Sequence, residues 1–297
     1  MTYQTLKCSV IIRTLNEERY LQELLAAITE QTHAENEILV VDSGSTDRTL
    51  EIAKAFDCRI LHIPKENFSF GRSLNIGCDA AEGDILVFIS GHCIPVDADW
   101  LEKLVEPFAD SSVAVTYGRQ LGGQESKYSE RILFEKYFPA VGNGDHQTSF
   151  FCNNANAAFR RTSWARFRFD ETLTGLEDMH LAKRLADCAE HVVYAPSAAV
   201  YHYHHEKWPQ VKRRYEREAI ALQKVMPEVH VYWHDACRYF LAGILGDFSR
   251  ALSERCLHTV ASEILAFRFC QYYGAWKGNH IHRKLSRQEK EKYFFPR

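Results

Sequence analysis

Residues 85–95 read Ile-Leu-Val-Phe-Ile-Ser-Gly-His-Cys-Ile-Pro. Five apolar residues, Ile85 to Ile89, run without alternation into a short polar tip, and a proline ends the segment. A short unbroken apolar run is the pattern of a strand buried on both faces, as in the interior of a parallel sheet. Ser90, Gly91 and His92 then fall at the carboxyl end of that strand. The histidine has three readings: a metal ligand, a catalytic group or a packed core residue. The neighbouring segments decide among them.

Upstream, Cys8 to Ile12 reads as a short buried strand. Asn16 is placed to cap a helix with Leu21, Leu24, Leu25 and Ile28 on one face. Glu37 to Val41 is a second strand, and Ser45, Thr46 and Asp47 open a helix carrying Leu50, Ala53 and Phe56. Arg59 to Ile63 is a weaker third strand. Ser73 to Ala81 is helical, with Gly83 as its stop. This alternation predicts βαβ units in an α/β fold, a mostly parallel sheet with helices on both faces. Ligands bind such sheets at the carboxyl ends of the strands. The tips Arg13-Thr14-Leu15-Asn16, Asp42-Ser43-Gly44-Ser45 and Ser90-Gly91-His92 are therefore expected to face one crevice, which favours a site role for His92.

Downstream the alternation weakens. Val113 to Gly118 is a candidate strand, and Gly118 to Gly144, polar and aromatic, reads as a mobile excursion. Asn153 to Arg161 leads to Gly175-Leu176-Glu177-Asp178, which opens a helix with Met179, Leu181, Ala182 and Leu185. From Trp208 the chain reads as helical almost to its end. The expected organisation is a catalytic domain over 1–205 and a helical C-terminal extension over 206–297 packed on it.

With 297 residues, 46% apolar and 25% charged, the composition is that of a globular protein. No apolar run approaches the ~18 residues of a spanning helix. The opening MTYQTLKCSVII lacks the long apolar stretch of a signal peptide. Nine cysteines occur singly, without a C-x-x-C pair, which argues against a disulfide framework or structural zinc and fits a reducing cytosol. Charge is uneven. Residues 1–200 carry 19 Lys and Arg against 29 Asp and Glu, whereas 201–297 carry 17 against 10. A basic tail suits an anionic partner such as phosphate or a membrane surface, or is simply a solvated helical face.

Several side chains have the chemistry of a site. Asp42, at a strand end, can accept the imide N–H of a uracil or thymine ring, or serve as a turn residue. Arg72, beside Gly71 at a helix start, suits a diphosphate. Glu177 and Asp178 open a helix, where the dipole favours acids without any function, but a carboxylate facing the crevice can take a proton from an attacking hydroxyl. His202 and His204 would share a face of an extended segment, and with His92 would make a metal site. Lys207 to Val225 is a basic amphipathic stretch with Trp208, Val211, Tyr215, Ala219 and Leu222 on one side, suited to a membrane interface or to packing on the body.

Taken together, SVIIRTLNEERYL, EILVVDSGSTDRTLEIA, FSFGRSLNIGCDAAEGDILVFIS, GLEDMHLAKRL and VYHYHHEKW resemble, in order, the segments of the family 2 glycosyltransferases with a GT-A fold, the last of them in rhamnosyltransferase-like members. The resemblance covers Cys8 to about Tyr215. It implies a nucleotide-sugar donor, with Thr14, Asp42, Arg72, Ser90, Gly91 and His92 at the donor, Asp178 as catalytic base and Glu177 beside it, and with Asn153, Asn154 and Asn156 as polar candidates to meet sugar hydroxyls. Where the family carries Asp-x-Asp before a proline, this chain has Ser90-Gly91-His92. Two arrangements follow. In one, His92 with His202 and His204 holds Mn²⁺ or Mg²⁺; in the other, no metal is used, and His92 and Arg72 meet the diphosphate directly. The implied activity is inverting transfer of a hexose or deoxyhexose from a UDP- or dTDP-sugar to a saccharide or lipid-linked saccharide, in bacterial surface polysaccharide synthesis. The implied location is the cytoplasm, peripherally on the inner face of the membrane. The alternative from another class is a non-catalytic sugar-nucleotide-binding subunit of an assembly complex. The acidic body and the lack of a nucleic-acid motif argue against a nucleic-acid partner.

Overall fold

The computed structural model describes residues 6–33, 35–123, 125–142 and 150–280. Its strands are β1 (Cys8–Thr14), β2 (Asn36–Asp42), β3 (Arg59–His62), β4 (Ile85–Ser90), β5 (Cys93–Pro95), β6 (Val113–Gly122), β7 (Asn156–Arg160) and β8 (His191–His202). The helices are α1 (Leu21–Thr29), α2 (Thr49–Lys54), α3 (Phe70–Ala80), α4 (Trp100–Val105), α5 (Tyr128–Tyr137), α6 (Arg161–Phe167), α7 (Glu177–Ala186), α8 (Trp208–Val225), α9 (Trp233–Ser253) and α10 (Leu257–Asn279).

Among the described residues the strands form one sheet in the order β3-β2-β1-β4-β7-β6-β8-β5. The pairs β1–β2, β2–β3, β1–β4 and β6–β8 are parallel; β4–β7, β6–β7 and β5–β8 are antiparallel. The N-terminal half is thus the expected parallel unit, and the added strands make the whole sheet mixed. Alternate residues of the apolar runs serve opposite faces. Val10, Ile12, Val40, Val87 and Ile89 pack in one core with Leu21, Leu24, Leu25 and Ile28 of α1 and Trp100, Leu101 and Leu104 of α4. On the other face, a Cβ added at Gly77 of α3 would meet the side chains of Ile11 at 2.6 Å and Val41 at 3.2 Å, so the helix lies directly on the sheet.

The chain divides into two compact units. The first comprises 1–123, 137–172 and 177–203 and contains the whole sheet; the second comprises 124–136, 173–176 and 204–297. The division falls beside the expected boundary at 205, but two earlier segments join the C-terminal helices. One of them holds most of α5, so the stretch expected as a mobile excursion is the end of β6 followed by a helix; residues 143–149 lie outside the described ones. Two other expectations are corrected. Asn16 caps no helix: α1 begins at Leu21, and Asn16 has φ 60°, a left-handed conformation that asparagine tolerates well. The third helix starts one turn early, at Phe70, because the Ser69 side chain accepts the Arg72 N–H as its cap.

In the second unit α8 and α10 pack closely through glycines. A Cβ at Gly274 would lie 2.5 Å from the Lys212 carbonyl oxygen, and one at Gly278 would lie 2.1 Å from that of Glu216. Part of the basic face expected on α8 is taken up within this unit: Arg214 pairs with Glu130 at 2.6 Å and Glu206 at 2.8 Å, and Lys212 lies over the Tyr273 ring. Arg268 and Asp247 form a buried two-bond pair at 2.7 Å. No described helix is long and apolar enough to cross a membrane. The exposed faces of α9 and α10 instead carry Leu241, Leu245, Leu252, Leu265, Phe269 and Tyr273.

Candidate active site at the carboxyl ends of the strands

The register brings the predicted tips together. Thr14 pairs with Asp42 across β1–β2, and Arg13 with Ser90 across β1–β4. The loops beyond these strands are fastened to each other. Asn16 N–H donates to Ser45 Oγ (2.9 Å), Thr46 N–H to Asn16 Oδ1 (2.8 Å) and Glu17 N–H to Thr49 Oγ1 (2.8 Å). Polar side chains that end strands here do the work of secondary structure in a loop.

Asp42 is buried, and its carboxylate accepts from Thr14 Oγ1 (3.1 Å), Gly44 N–H (2.9 Å), Ser45 N–H (3.1 Å) and Ser45 Oγ (2.5 Å). A carboxylate offers about four lone-pair sites, so this set fills it. Asp42 acts here as the organiser of its turn; a base contact requires a donor such as the Ser45 hydroxyl to swing aside.

Asp178 stands at the start of α7, buried, with Oδ2 accepting the Asn154 N–H and Oδ1 the Met179 N–H, each at 2.7 Å. Burial, and then the adjacent Glu177 carboxylate, push its pKa up to about 7; the two N–H bonds and Arg13 pull the other way. Glu177, also buried, meets Arg13 Nη1 at 3.4 Å. Arg13 lies over the Phe70 ring, and its buried Nη1 has no hydrogen-bond acceptor. The Asn154 side chain, 5% exposed, likewise leaves Oδ1 and Nδ2 without partners. Unpaired buried polar groups cost stability and mark places where a polar ligand can bind. The acid pair and these two groups thus connect to the β1 and β4 tips.

At the β4 tip, His92 Nδ1 lies 3.0 and 3.1 Å from the two Glu17 carboxylate oxygens, and Ser90 Oγ is 3.2 Å from Nε2. The ring stacks on His202 at 5.1 Å between centroids. His202 ends β8, buried, with Nδ1 2.7 Å from Gln120 Oε1. His204 does not share a strand face with it: β8 stops at His202, and His204 belongs to the second unit, where its Nδ1 meets Glu130 Oε1 at 2.8 Å. There His204 and Arg214 outweigh burial and hold the Glu130 carboxyl at about 2.

Two expected groups are engaged elsewhere. Arg72 donates through Nε to Glu171 Oε2 (2.7 Å) and through Nη1 to the Asn67 carbonyl (3.1 Å). Asn156 is fully buried and binds Trp100 Nε1 and the Arg119 and Ala198 carbonyls, so it is a structural core residue rather than a sugar contact. Asn153 Oδ1 closes a local turn on Ala155 N–H. Arg13 lies in an expected tip without a role of its own, and sequence reasoning missed Glu17 and Gln120. Arg13 and Glu17 lie in quoted segments, but only the strand order shows what they face.

A mixed sheet of this order, with helices on both faces and an acid pair at a late helix start, defines a glycosyltransferase fold of the GT-A type. The family model for glycosyl transferase family 2 matches residues 9–167, more than half of the chain, and the chain belongs to that family. It is similar to the O-antigen chain rhamnosyltransferase RfbN of Salmonella typhimurium, 27% identical over 212 residues, which are 67% of this chain and 67% of that one. It is also similar to the O-antigen chain rhamnosyltransferase WbaN of Salmonella anatum, 28% identical over 205 residues, 65% of this chain and 64% of that one. The chain thus spans about two thirds of the length of these relatives. The fold is also that of the mannosyltransferase PcManGT from Pyrobaculum calidifontis, solved with GDP-Man and Mn²⁺, at TM-score 0.68 and 19% identity, covering 95% of this chain and 89% of that one. Glucosyl-3-phosphoglycerate synthase from Mycobacterium tuberculosis, with Mn²⁺ and UDP-glucose, follows at TM-score 0.56 and 19% identity over 74% and 79%.

Proposed function

We propose that this glycosyltransferase inverts the anomeric centre of a nucleoside-diphosphate sugar as it passes the sugar to a glycan acceptor, in the synthesis of a bacterial surface polysaccharide. The observation that carries the reading is Asp178: a buried carboxylate with both oxygens held by backbone N–H groups and a pKa raised to about 7. A base poised near the working pH is the efficient one. The acceptor oxygen attacks the anomeric carbon, its proton passes to Asp178, and the bond to the diphosphate breaks with its electron pair leaving on the diphosphate. Arg13 Nη1, ion-paired with Glu177 but without a hydrogen-bond acceptor, and the Asn154 side-chain amide, which has no hydrogen-bond partner, are placed for donor or acceptor oxygens. Thr14 and Asp42 frame the base, with uridine and thymidine donors favoured by the imide N–H. The two rhamnosyltransferase relatives support a deoxyhexose donor and an O-antigen-like acceptor.

A divalent cation fits the β4 tip through its donor set, the His92 and His202 imidazoles. It would supply charge against the leaving diphosphate; Ser90 and the Gly91 backbone border the same place. Arg72 spends Nε on Glu171 and Nη1 on the Asn67 carbonyl, and its remaining N–H donors are those a diphosphate could meet.

The second unit supports action at an anionic membrane. Between Arg238 and Arg250 the exposed face of α9 holds no charged residue, Asp247 being buried, and it presents Leu241 and Leu245; Phe269 and Tyr273 of α10 are exposed as well. Apolar and aromatic side chains beside arginines suit a lipid interface.

The test is Asp178→Asn. Donor binding by calorimetry persists while turnover falls by about 10²–10⁴-fold. A fully active variant removes Asp178 from the role of base.

A further inference from the structure

We propose that Glu17 and Gln120 are positioning residues that fix the tautomers of His92 and His202, and that the resulting pair of Nε2 donors selects a nitrogen-preferring transition-metal cation over Mg²⁺. The inference rests on the reading of a divalent cation at the β4 tip and says which cation, and why.

The Glu17 carboxylate only accepts, and both its oxygens lie within 3.1 Å of His92 Nδ1. Nδ1 therefore carries the proton, and in the neutral ring the Nε2 lone pair is left as the donor, with the Ser90 hydroxyl 3.2 Å away as its partner until an ion takes that place. At His202 the same nitrogen faces the Gln120 amide oxygen at 2.7 Å, with the same consequence for Nε2. A ligating histidine ordinarily has its second nitrogen held by a carboxylate or amide oxygen in this way, which orients the ring and raises its basicity. In the second unit His204 shows the same arrangement, Nδ1 against Glu130 at 2.8 Å.

The approach of Glu17 is built into the backbone. A Cβ at Gly91 would lie 2.8 Å from Glu17 Cγ, so a glycine between Ser90 and His92 is what admits the acid. The Glu17 N–H is pinned by Thr49 Oγ1, and its carbonyl accepts the first amides of α1. A carboxylate therefore still serves the strand tip, but from the β1 loop and through an imidazole. That changes the chemistry offered to the ion. Mg²⁺ demands oxygen ligands and dehydrates reluctantly, whereas imidazole suits Co²⁺, Ni²⁺ and Zn²⁺.

Two measurements on the full-length protein without substrate test this. In long-range ¹H–¹⁵N spectra of ¹⁵N-histidine protein, His92 and His202 show the Nδ1–H tautomer; Nε2–H at either overturns the proposal. In titrations with Co²⁺ followed by its visible d–d absorption, wild-type protein binds one ion that a tenfold excess of Mg²⁺ does not displace. Glu17→Ala, checked for folding by circular dichroism, binds it about 10–100-fold more weakly. Equal affinity in the variant, or displacement by Mg²⁺, contradicts the proposal. EDTA dependence of donor turnover tests the underlying reading separately, because it reports whether turnover needs an ion and not which ion binds.

Discussion

Arg13 Nη1 lies 3.4 Å from Glu177 Oε1, buried and without a hydrogen-bond acceptor. The end of the first strand therefore places a cation beside the acid pair that opens α7. Asp178, next in sequence, feels that cation as a force lowering its pKa against burial and Glu177. Replacing Arg13 by Ala removes the only one of these opposing forces that comes from a side chain. The acid limb of the rate profile is expected to move to higher pH, and kcat/KM at pH 7 to fall by about 10²-fold. A pH–rate profile of Arg13→Ala checks both, and an unmoved limb separates Arg13 from the base.

The raised pKa of Asp178 also predicts how stability depends on pH. Between the ordinary carboxylate value of 3.8 and about 7, the folded state holds a proton on Asp178 that the unfolded chain has released. Stability from this group is present below that window and is lost as pH rises through it. Asp178→Asn does not titrate. Its stability relative to wild type therefore rises between pH 5 and pH 8, by about 1 kcal/mol or more. Denaturant melts at the two pH values measure the gap; a constant gap contradicts the assignment.

Asp42 accepts four bonds from its own loop and Thr14. Asp42→Ala leaves two backbone N–H groups and two hydroxyls to find new partners, a loss of about 2–4 kcal/mol. Ser45→Ala removes one bond and costs about 1 kcal/mol. Thermal denaturation orders the two, and donor titration shows the weakened base contact in Asp42→Ala.

Vesicle binding is expected to depend on α9 and α10. Leu245 and Phe269 are more than half exposed, whereas the α8 arginine Arg214 is spent on Glu130 and Glu206. A Leu245→Glu, Phe269→Glu double variant is expected to lose sedimentation with anionic vesicles at low salt by about tenfold or more. Unchanged sedimentation removes this face from membrane contact.

How much of this was legible depends on the range of the interactions. The apolar runs at Val10–Ile12, Glu37–Val41 and Ile85–Ile89 mark the parallel core directly, because a doubly buried strand has no polar face. The places of Asp42 at a strand end and of Asp178 at a helix start were legible. Glu17 was not. Its neighbour Asn16 reads as a helix cap, and only the pairing of β1 with β4 shows that the acid meets His92, 75 residues away. The later strands β7 and β8 carry few signals of their own: Asn156 reads as a sugar contact because its amide partners, the Arg119 and Ala198 carbonyls, come from segments distant in sequence. His202 and His204 share a spacing but not a strand, since β8 ends between them.

The central claim is that a sugar nucleotide reacts at these strand ends with Asp178 as the base. The most direct measurement is nucleoside diphosphate release from UDP-, dTDP- and GDP-sugars, with a lipid-linked oligosaccharide fraction as acceptor, by wild type and Asp178→Asn side by side. The account predicts release by wild type from a uridine or thymidine donor, and a loss of about 10²-fold or more in the variant with donor binding unchanged. Equal release by the two proteins would contradict it.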